Sequence, residues 1–325
     1  MTFAALSCPQ CGGPLPRQAI WRTVVCPFCS ATVTRSRSLV HAASFREAHL
    51  RMRERALARC PSSSRMLHCL GECYRLIGLV GVGEHAEVHL AERVSCLPER
   101  VIVKLAHLDA RSGELAREAE VLGRLQASEA GGAAHFSRLL PQVIAVATAE
   151  VTGGARREVL LLRHLPGYWG SCAQVLSQSP RGVNARHVVW IWRRVLDVLG
   201  FVHASGWCHG DLLPEHWLVQ PRDHGVLLVG WAAARKLGSG GDVARDLMQS
   251  AWTVRMLLGG SDDQPRIADS VPAPLRRLLQ RCCEDAAWCA SSGALGVDEA
   301  LVAAAGAAFG APRFVSFNPL AADQA

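Results

Sequence analysis

The hydrophobic pattern changes character along the chain. Between residues 45 and 59, Phe45, Ala48, Leu50, Met52 and Leu57 are interleaved with Arg46, Arg51, Arg53, Arg55 and Arg59. This predicts an arginine-rich helix, stopped by Cys60-Pro61-Ser62-Ser63-Ser64. From Tyr74 onward the runs become strand-like. A helical stretch follows at 114–126, further strands at 140–162, and a mainly helical remainder. Val101-Ile102-Val103-Lys104 reads as a short β-branched strand and Val226-Leu227-Leu228-Val229 as another, while Trp190 and Trp192 with Val188, Ile191, Val195, Leu196 and Leu199 predict an apolar core helix at 187–204. No internal repeat or long low-complexity tract is present. The changes in texture divide the chain into residues 1–40, a basic helical linker at 41–73, and a larger domain at 74–325.

Half of the 325 residues are apolar, enough to bury a core of ordinary size. The longest continuous apolar candidates, near 143–151 and 301–311, fall short of the roughly 18 to 20 residues that cross a bilayer, so no membrane partner is expected. Cys8, Pro9, Gln10 and Cys11 interrupt any secretory pattern at the start, which points to the cytoplasm. The net charge of +7 is almost all arginine: among 35 basic residues only Lys104 and Lys236 are lysines. A lysine kept where arginine is the habit marks a site built for a compact point charge. The arginine excess also fits an acidic or nucleic-acid partner.

Thirteen cysteines in a chain without a secretory signal read as metal ligands plus buried thiols rather than as a disulfide framework. Cys8-Pro9-Gln10-Cys11 and Cys26-Pro27-Phe28-Cys29 are two CxxC knuckles separated by fourteen residues, with Ile20, Trp21, Thr23 and Val24 able to form a hairpin between them. Four thiolates suit tetrahedral zinc and leave no open coordination position. The expectation is therefore a structural zinc ribbon over residues 1–40, with Cys8, Cys11, Cys26 and Cys29 as ligands.

Within 74–325, Gly78, Gly81 and Gly83 lie between two strand-like runs, where backbone amides could approach phosphates or simply make a hairpin turn. Lys104 ends its strand fourteen residues before Glu118, which falls in the predicted helix. His209-Gly210-Asp211 follows the apolar helix. This order of glycine loop, lysine strand, glutamate helix and His-x-Asp loop resembles the eukaryotic-type protein kinase superfamily, in the form with Gly between His and Asp that bacterial members often show. The resemblance covers about two thirds of the chain. It implies an α+β, bilobal fold: a smaller lobe (74–165) with a twisted antiparallel sheet and one main helix, and a helical larger lobe (166–325). It further implies ATP between the lobes, bound by the backbone at Gly81 and Gly83, by Lys104 paired with Glu118, and by a hinge from Leu162 to Leu165. Asp211 takes the place of the residue that accepts the substrate hydroxyl proton.

The pattern also departs from the family. Ala86 stands at the third glycine. His216 replaces the magnesium-binding asparagine and Leu213 the lysine of the same loop. Val229-Gly230-Trp231 stands where Asp-Phe-Gly belongs, with Gly230 in the aspartate slot. Hard magnesium needs oxygen ligands, and neither position supplies one, so magnesium is not expected. Only about fifteen residues separate Trp231 from the Asp246 helix, too few for a peptide platform, and no Ala-Pro-Glu occurs. The expectation is a pseudokinase or regulatory scaffold in signalling, acting on a protein partner. Two alternatives stay open at this point. One is an active Ser/Thr kinase in which Glu215, His216 or Asp223 replaces the lost ligands. The other is a nucleic-acid-binding regulator built on the ribbon and on Arg46–Arg59.

Overall fold

In the strand Arg100–Ala106, Val101, Val103 and Leu105 are fully buried while Ile102 and Lys104 are only half so. That period of two is what a sheet with one face on a core demands. It sets the architecture described by a computed structural model of the chain. Residues 23–25, 32–34, 65–94, 99–151, 154, 156–238, 240–259 and 267–323 are described, in two compact units, Met1–Ser64 and Arg65–Ala325.

In the first unit, β1 (Thr23–Val25) pairs antiparallel with β2 (Thr32–Thr34), in register Thr23↔Thr34 and Val25↔Thr32. The candidate zinc ligands Cys8, Cys11, Cys26 and Cys29 and the arginine-rich stretch 46–59 lie outside the described residues.

The second unit opens with β3 (Met66–Cys69), β4 (Glu72–Val82), β5 (Ala86–Arg93) and β6 (Arg100–Ala106). Helix α1 (Glu114–Gln126), the short α2 (Ala133–Phe136), β7 (Val143–Val151) and β8 (Arg156–Arg163) follow. All six strands are antiparallel and close in the order β3-β4-β5-β6-β8-β7. The closing strand is β3, which pairs with β4 through Leu67↔Tyr74 and with β7 through Leu67↔Val151. Leu67, Cys69, Leu76, Ala91, Val103, Leu105, Val159 and Leu161 fill the interior as one cluster, as in a small barrel packed by its own side chains. The bilobal kinase-like fold expected from the motifs is corrected here. Instead of an open sheet the chain forms a closed six-stranded barrel, because a strand in the stretch read as linker carries alternating buried residues (Leu67, Cys69) that bridge both sheet edges.

The rest is mostly helical. It comprises β9 (Gly170–Ser171), α3 (Cys172–Gln178), α4 (Ala185–Ala204), β10 (Trp207–Cys208), β11 (Trp217–Gln220), β12 (Gly225–Leu228), β13 (Arg235–Lys236), α5 (Gly240–Leu257), α6 (Ala273–Glu284) and α7 (Ala286–Phe309). The apolar helix read from the tryptophans is α4, which buries Val188, Ile191, Trp192, Val195 and Leu199. The outward face of β8 (Leu160, Leu162) and the stripe Leu115, Val121, Leu122 and Leu125 of α1 join the same core cluster, so barrel and helices share one apolar contact. Helix α7 is long and apolar enough to cross a membrane by length and composition. It packs on α4, α5 and α6 through Cys289, Ala294, Val297 and Leu301, and its Asp298 accepts Nε–H of Arg193 at 2.8 Å.

Candidate functional site

Strand alternation turns Lys104 away from the barrel interior. The register Gly81↔Val88, Val88↔Lys104 and Lys104↔Leu160 puts the first glycine of the β4–β5 hairpin and the lysine in one row of one face. Helix α1 presents Glu118 on its buried stripe between Leu115 and Val121. The helix begins after Gly113, held at φ 90°, and Glu158 of β8 accepts from the Gly113 and Ala116 amides at 3.1 Å each. A carboxylate there meets the unsatisfied amides and positive end of the helix, which fixes α1 against the barrel. Glu118 is only 2% exposed. So buried a charge needs partners, and it has two: Lys104 Nζ donates to Oε2, and the Trp231 amide donates to Oε1 at 3.3 Å. Arg117, one residue earlier, donates to the Ala232 carbonyl. The structure therefore brings Lys104 and Glu118 together as expected and ties both to the turn after β12.

The loop carrying Asp211 is held from below by α5. The Asp246 carboxylate is fully buried and accepts the amides of His209 and Gly210 at 2.8 Å each and His203 Nε2–H at 2.9 Å. Burial alone would raise its pKa, but the His203 bond, the neighbouring His209 and the two amides outweigh that and hold it below the usual carboxylate range. Gln249 and Thr253, also from α5, donate to the carbonyls of Gly210 and Leu212. His209 is wholly buried. Its Nε2–H donates to the Val229 carbonyl at 3.1 Å, and its Nδ1 accepts the Asp211 amide at 3.3 Å. Burial, opposed in part by Asp246, pulls its pKa down to about 4, so the ring is neutral in this tautomer near pH 7. Gly210 sits at φ +80°, and a β-carbon there would lie 2.7 Å from the Ala233 carbonyl oxygen. The segment after β12 thus packs directly on this loop and leaves glycine the residue that fits between His209 and Asp211.

Asp211 is partly exposed and faces His216. The His216 Nδ1–H donates to the Asp211 backbone carbonyl at 2.9 Å, with the carboxylate Oδ2 at 3.3 Å. The other edge of the ring lies against Gly230. That glycine has φ 81° and ψ 46°, and a β-carbon on it would stand 2.5 Å from both Cδ2 and Nε2 of His216. No side chain fits at Gly230 while the imidazole stays where it is. The magnesium that the family resemblance would imply does not fit these residues. Gly230 has no side-chain donor atom, His216 offers nitrogen where a hard cation takes oxygen, and its Nδ1 proton is committed to Asp211. Among the described residues no group of three or more His, Cys, Asp or Glu is placed to hold a metal ion.

The remaining predicted residues are less engaged. Gly81 and Gly83 lie at the tip of the β4–β5 hairpin, where the Gly83 amide donates to the Ala86 carbonyl. The tip is fastened by His107 Nε2 to the Gly83 carbonyl at 2.9 Å and by His85 Nδ1 to Glu114 at 3.0 Å. Leu162 is buried near the end of β8 opposite Ile102, and Leu165 is half-buried in the loop after β8. A cavity of about 460 Å³ lies elsewhere, lined by Trp252, Arg255, Arg276, Arg277 and Cys283. Sequence reasoning missed the anchoring work of Asp246 and His203 and the latch residues His85, Glu114 and His107. For Asp246 a signal existed: an aspartate isolated among Leu247, Met248, Ala251 and Trp252 is a carboxylate headed for burial. For the histidines the sequence holds none, since each bond crosses between elements. No family model matches the chain, and no curated protein matches it in sequence.

Proposed function

We propose that this chain is a pseudokinase-type regulatory module: it retains the protein-kinase-like Lys104–Glu118 anchor and Asp211, does not transfer phosphoryl groups, and works by engaging a protein partner. The observation that supports this most directly is the packing of His216 on Gly230. The two positions at which an active relative would place oxygen ligands for a divalent cation are taken by an imidazole and by a residue with no side chain, in mutual contact. Phosphoryl transfer rests on positioning and charge neutralisation, and loss of one preorganised stabilising group lowers the rate by roughly 10² to 10³. Two losses reduce it below useful turnover. The short run from Trp231 to α5, bridged to Trp207 and Cys208 through β13, also leaves no platform for a peptide substrate.

The test combines a labelled-phosphate transfer assay with thermal shifts in ATP, with and without Mg²⁺ or Mn²⁺. The expected result is no metal-dependent turnover and no metal-dependent shift. Turnover that requires the metal and vanishes in both Lys104→Ala and Asp211→Asn would overturn the proposal.

A further inference from the structure

Helix α7 is interrupted at Gly293, where φ is 61° and ψ −178°, and residues 294–309 form its longer arm. One side of that arm is core: Ala294, Val297 and Leu301 are buried where α7 packs on α4, α5 and α6. The other side carries Leu295, Glu299, Val302, Ala303, Gly306 and Ala307, all exposed. Their spacing, by steps of three and four, lays them in one stripe along the helix. A surface helix ordinarily shows solvent a polar face. This stripe shows a single charge, Glu299, while Leu295 is 71% and Val302 44% exposed. Only 17% of the most apolar stretch of α7 is buried. An apolar face of this extent marks an interaction surface.

Lipid fits it poorly. Residues 286–309 contain no Lys or Arg, whereas a helix lying in a membrane surface is rich in them along its polar flank, and Asp298 and Glu299 would meet anionic headgroups with like charge. The opposite face is packed on three helices, so the arm does not cross a bilayer either. The charges around the stripe instead complement the stripe itself. At the C-terminal end of α7 the exposed Arg186 of α4 holds its guanidinium 4.4 Å from the centre of the Phe309 ring. Among the described residues neither Arg186 nor Glu299 forms an ion pair. Two copies crossing antiparallel about a two-fold axis near Ala303 bring Glu299 of one to the level of Ala307 in the other. That is about 3 Å along the axis from Phe309 and its guanidinium. An isologous interface makes the contact twice. A parallel pair would set Glu299 against its own copy. Ala303, Gly306 and Ala307 allow close approach, and a β-carbon on Gly306 would meet nothing within 4 Å in its own chain.

We infer that the exposed arm of α7 is an interface for a second copy of this chain, an antiparallel two-fold dimer centred on Val302, Ala303 and Gly306, with Glu299 facing Arg186 of the other copy. One helix face is small beside the roughly 800 Å² per partner of a standard interface, so the dimer is reversible.

The test is sedimentation of the full chain over a wide range of concentration, and the expected result is a monomer–dimer equilibrium. Val302→Arg and Gly306→Gln are each expected to weaken the dimer at least about tenfold. Neither should lower the thermal midpoint of the dilute monomer, since both positions are exposed. Glu299→Arg and Arg186→Glu each bring like charges together at two symmetric contacts and are expected to weaken it about tenfold, and the double variant to restore it to within about threefold of the parent. A monomer at every concentration overturns the inference. So does a dimer that Val302→Arg and Gly306→Gln leave intact, which would belong to another face, or a double charge reversal no better than the single ones. Cosedimentation with phosphatidylcholine and phosphatidylserine vesicles, lost in Val302→Arg, from a chain monomeric without them would assign the face to lipid and overturn it too.

Discussion

Replacing Gly230 with aspartate tests the central contact of the site. The residue sits at φ 81°, in the left-handed region. An L-residue pays about 1 kcal/mol there, at the low end of the range because Asp tolerates that region. Its β-carbon would begin 2.5 Å from two atoms of the His216 ring, about 1 Å inside the normal carbon contact of about 3.5 Å. The ring must swing away and give up the Nδ1–H bond to the Asp211 carbonyl, a net loss of about 0.5–1.5 kcal/mol. With lost packing, Gly230→Asp destabilises by about 2–3 kcal/mol. His216→Asn replaces the ring by a shorter side chain that still carries N–H donors, and by itself stays below about 1.5 kcal/mol. In the double variant the clash disappears, so the two effects are not additive. A double-mutant cycle by urea denaturation, with unchanged m-values, is expected to give a coupling of at least about 1 kcal/mol in favour of the pair. The double variant also supplies carboxylate and amide oxygens side by side, and a magnesium-dependent thermal shift in ATP, absent in the parent, is expected to appear. Additivity within about 0.3 kcal/mol refutes the reasoning.

Acid should weaken the fold between pH 6.5 and 4. With His209 held at about 4 in the folded chain, the unfolded chain takes up a proton first as pH falls below about 6.5, which removes up to about 3 kcal/mol by pH 4 and nothing further below that. Asp246, held below its ordinary value, adds a loss of the same sign only as pH falls below about 3.9 toward its lowered value; urea midpoints at pH 7, 5.5 and 4.5 measure the His209 part, which His209→Gln should flatten, and midpoints below pH 4 the Asp246 part. Lys104→Met strands Glu118 as a buried, half-paired charge and is expected to destabilise by about 3–5 kcal/mol, with much of this recovered in Lys104→Met/Glu118→Gln. Leu67→Ala, in the closing strand, opens a cavity in the barrel and should cost about 2–5 kcal/mol in the same assay. Metal analysis of the purified chain should find one zinc per molecule, lost in Cys26→Ser.

Much of the helical half was legible from the sequence because its signals are local. The Trp190 and Trp192 helix appears as α4, and the Glu118 helix as α1, within a residue or two of the periodicity that predicts them. The elements of Lys104 and Glu118 were legible because each has a clear period, of two for β6 and of about 3.6 for α1, whereas their pairing was an expectation from the family resemblance and not from the pattern. Barrel closure was not legible. Met66–Cys69 is four residues long, too short to carry a period, and it follows an arginine-rich run that dominates the local reading; its pairing with β7 joins residues more than eighty positions apart. The contact of His216 with Gly230 was equally hidden, since the sequence reports two odd residues but not that they occupy one volume.

That shared volume changes how the two departures are counted. A ring at 216 excludes a side chain at 230, and a side chain at 230 would expel the ring, so under the proposed reading the two departures are coupled rather than two accidents. The same reasoning bears on what was kept. Lys104 and Glu118 would ordinarily be taken as evidence of chemistry, yet Glu118 joins β6, α1 and the Trp231 turn through two hydrogen bonds at 2% exposure. Removing either partner leaves the other as an uncompensated charge between three packed elements. Fold stability alone is therefore enough to hold the pair in place without any phosphoryl transfer, and the discriminating residue is Asp211. It is partly exposed, and among the described residues the one partner of its carboxylate is the His216 ring, at 3.3 Å. In a regulatory module Asp211→Asn should change stability by less than about 1 kcal/mol while Lys104→Met changes it severalfold more. In an enzyme the two would instead be matched in their effect on turnover.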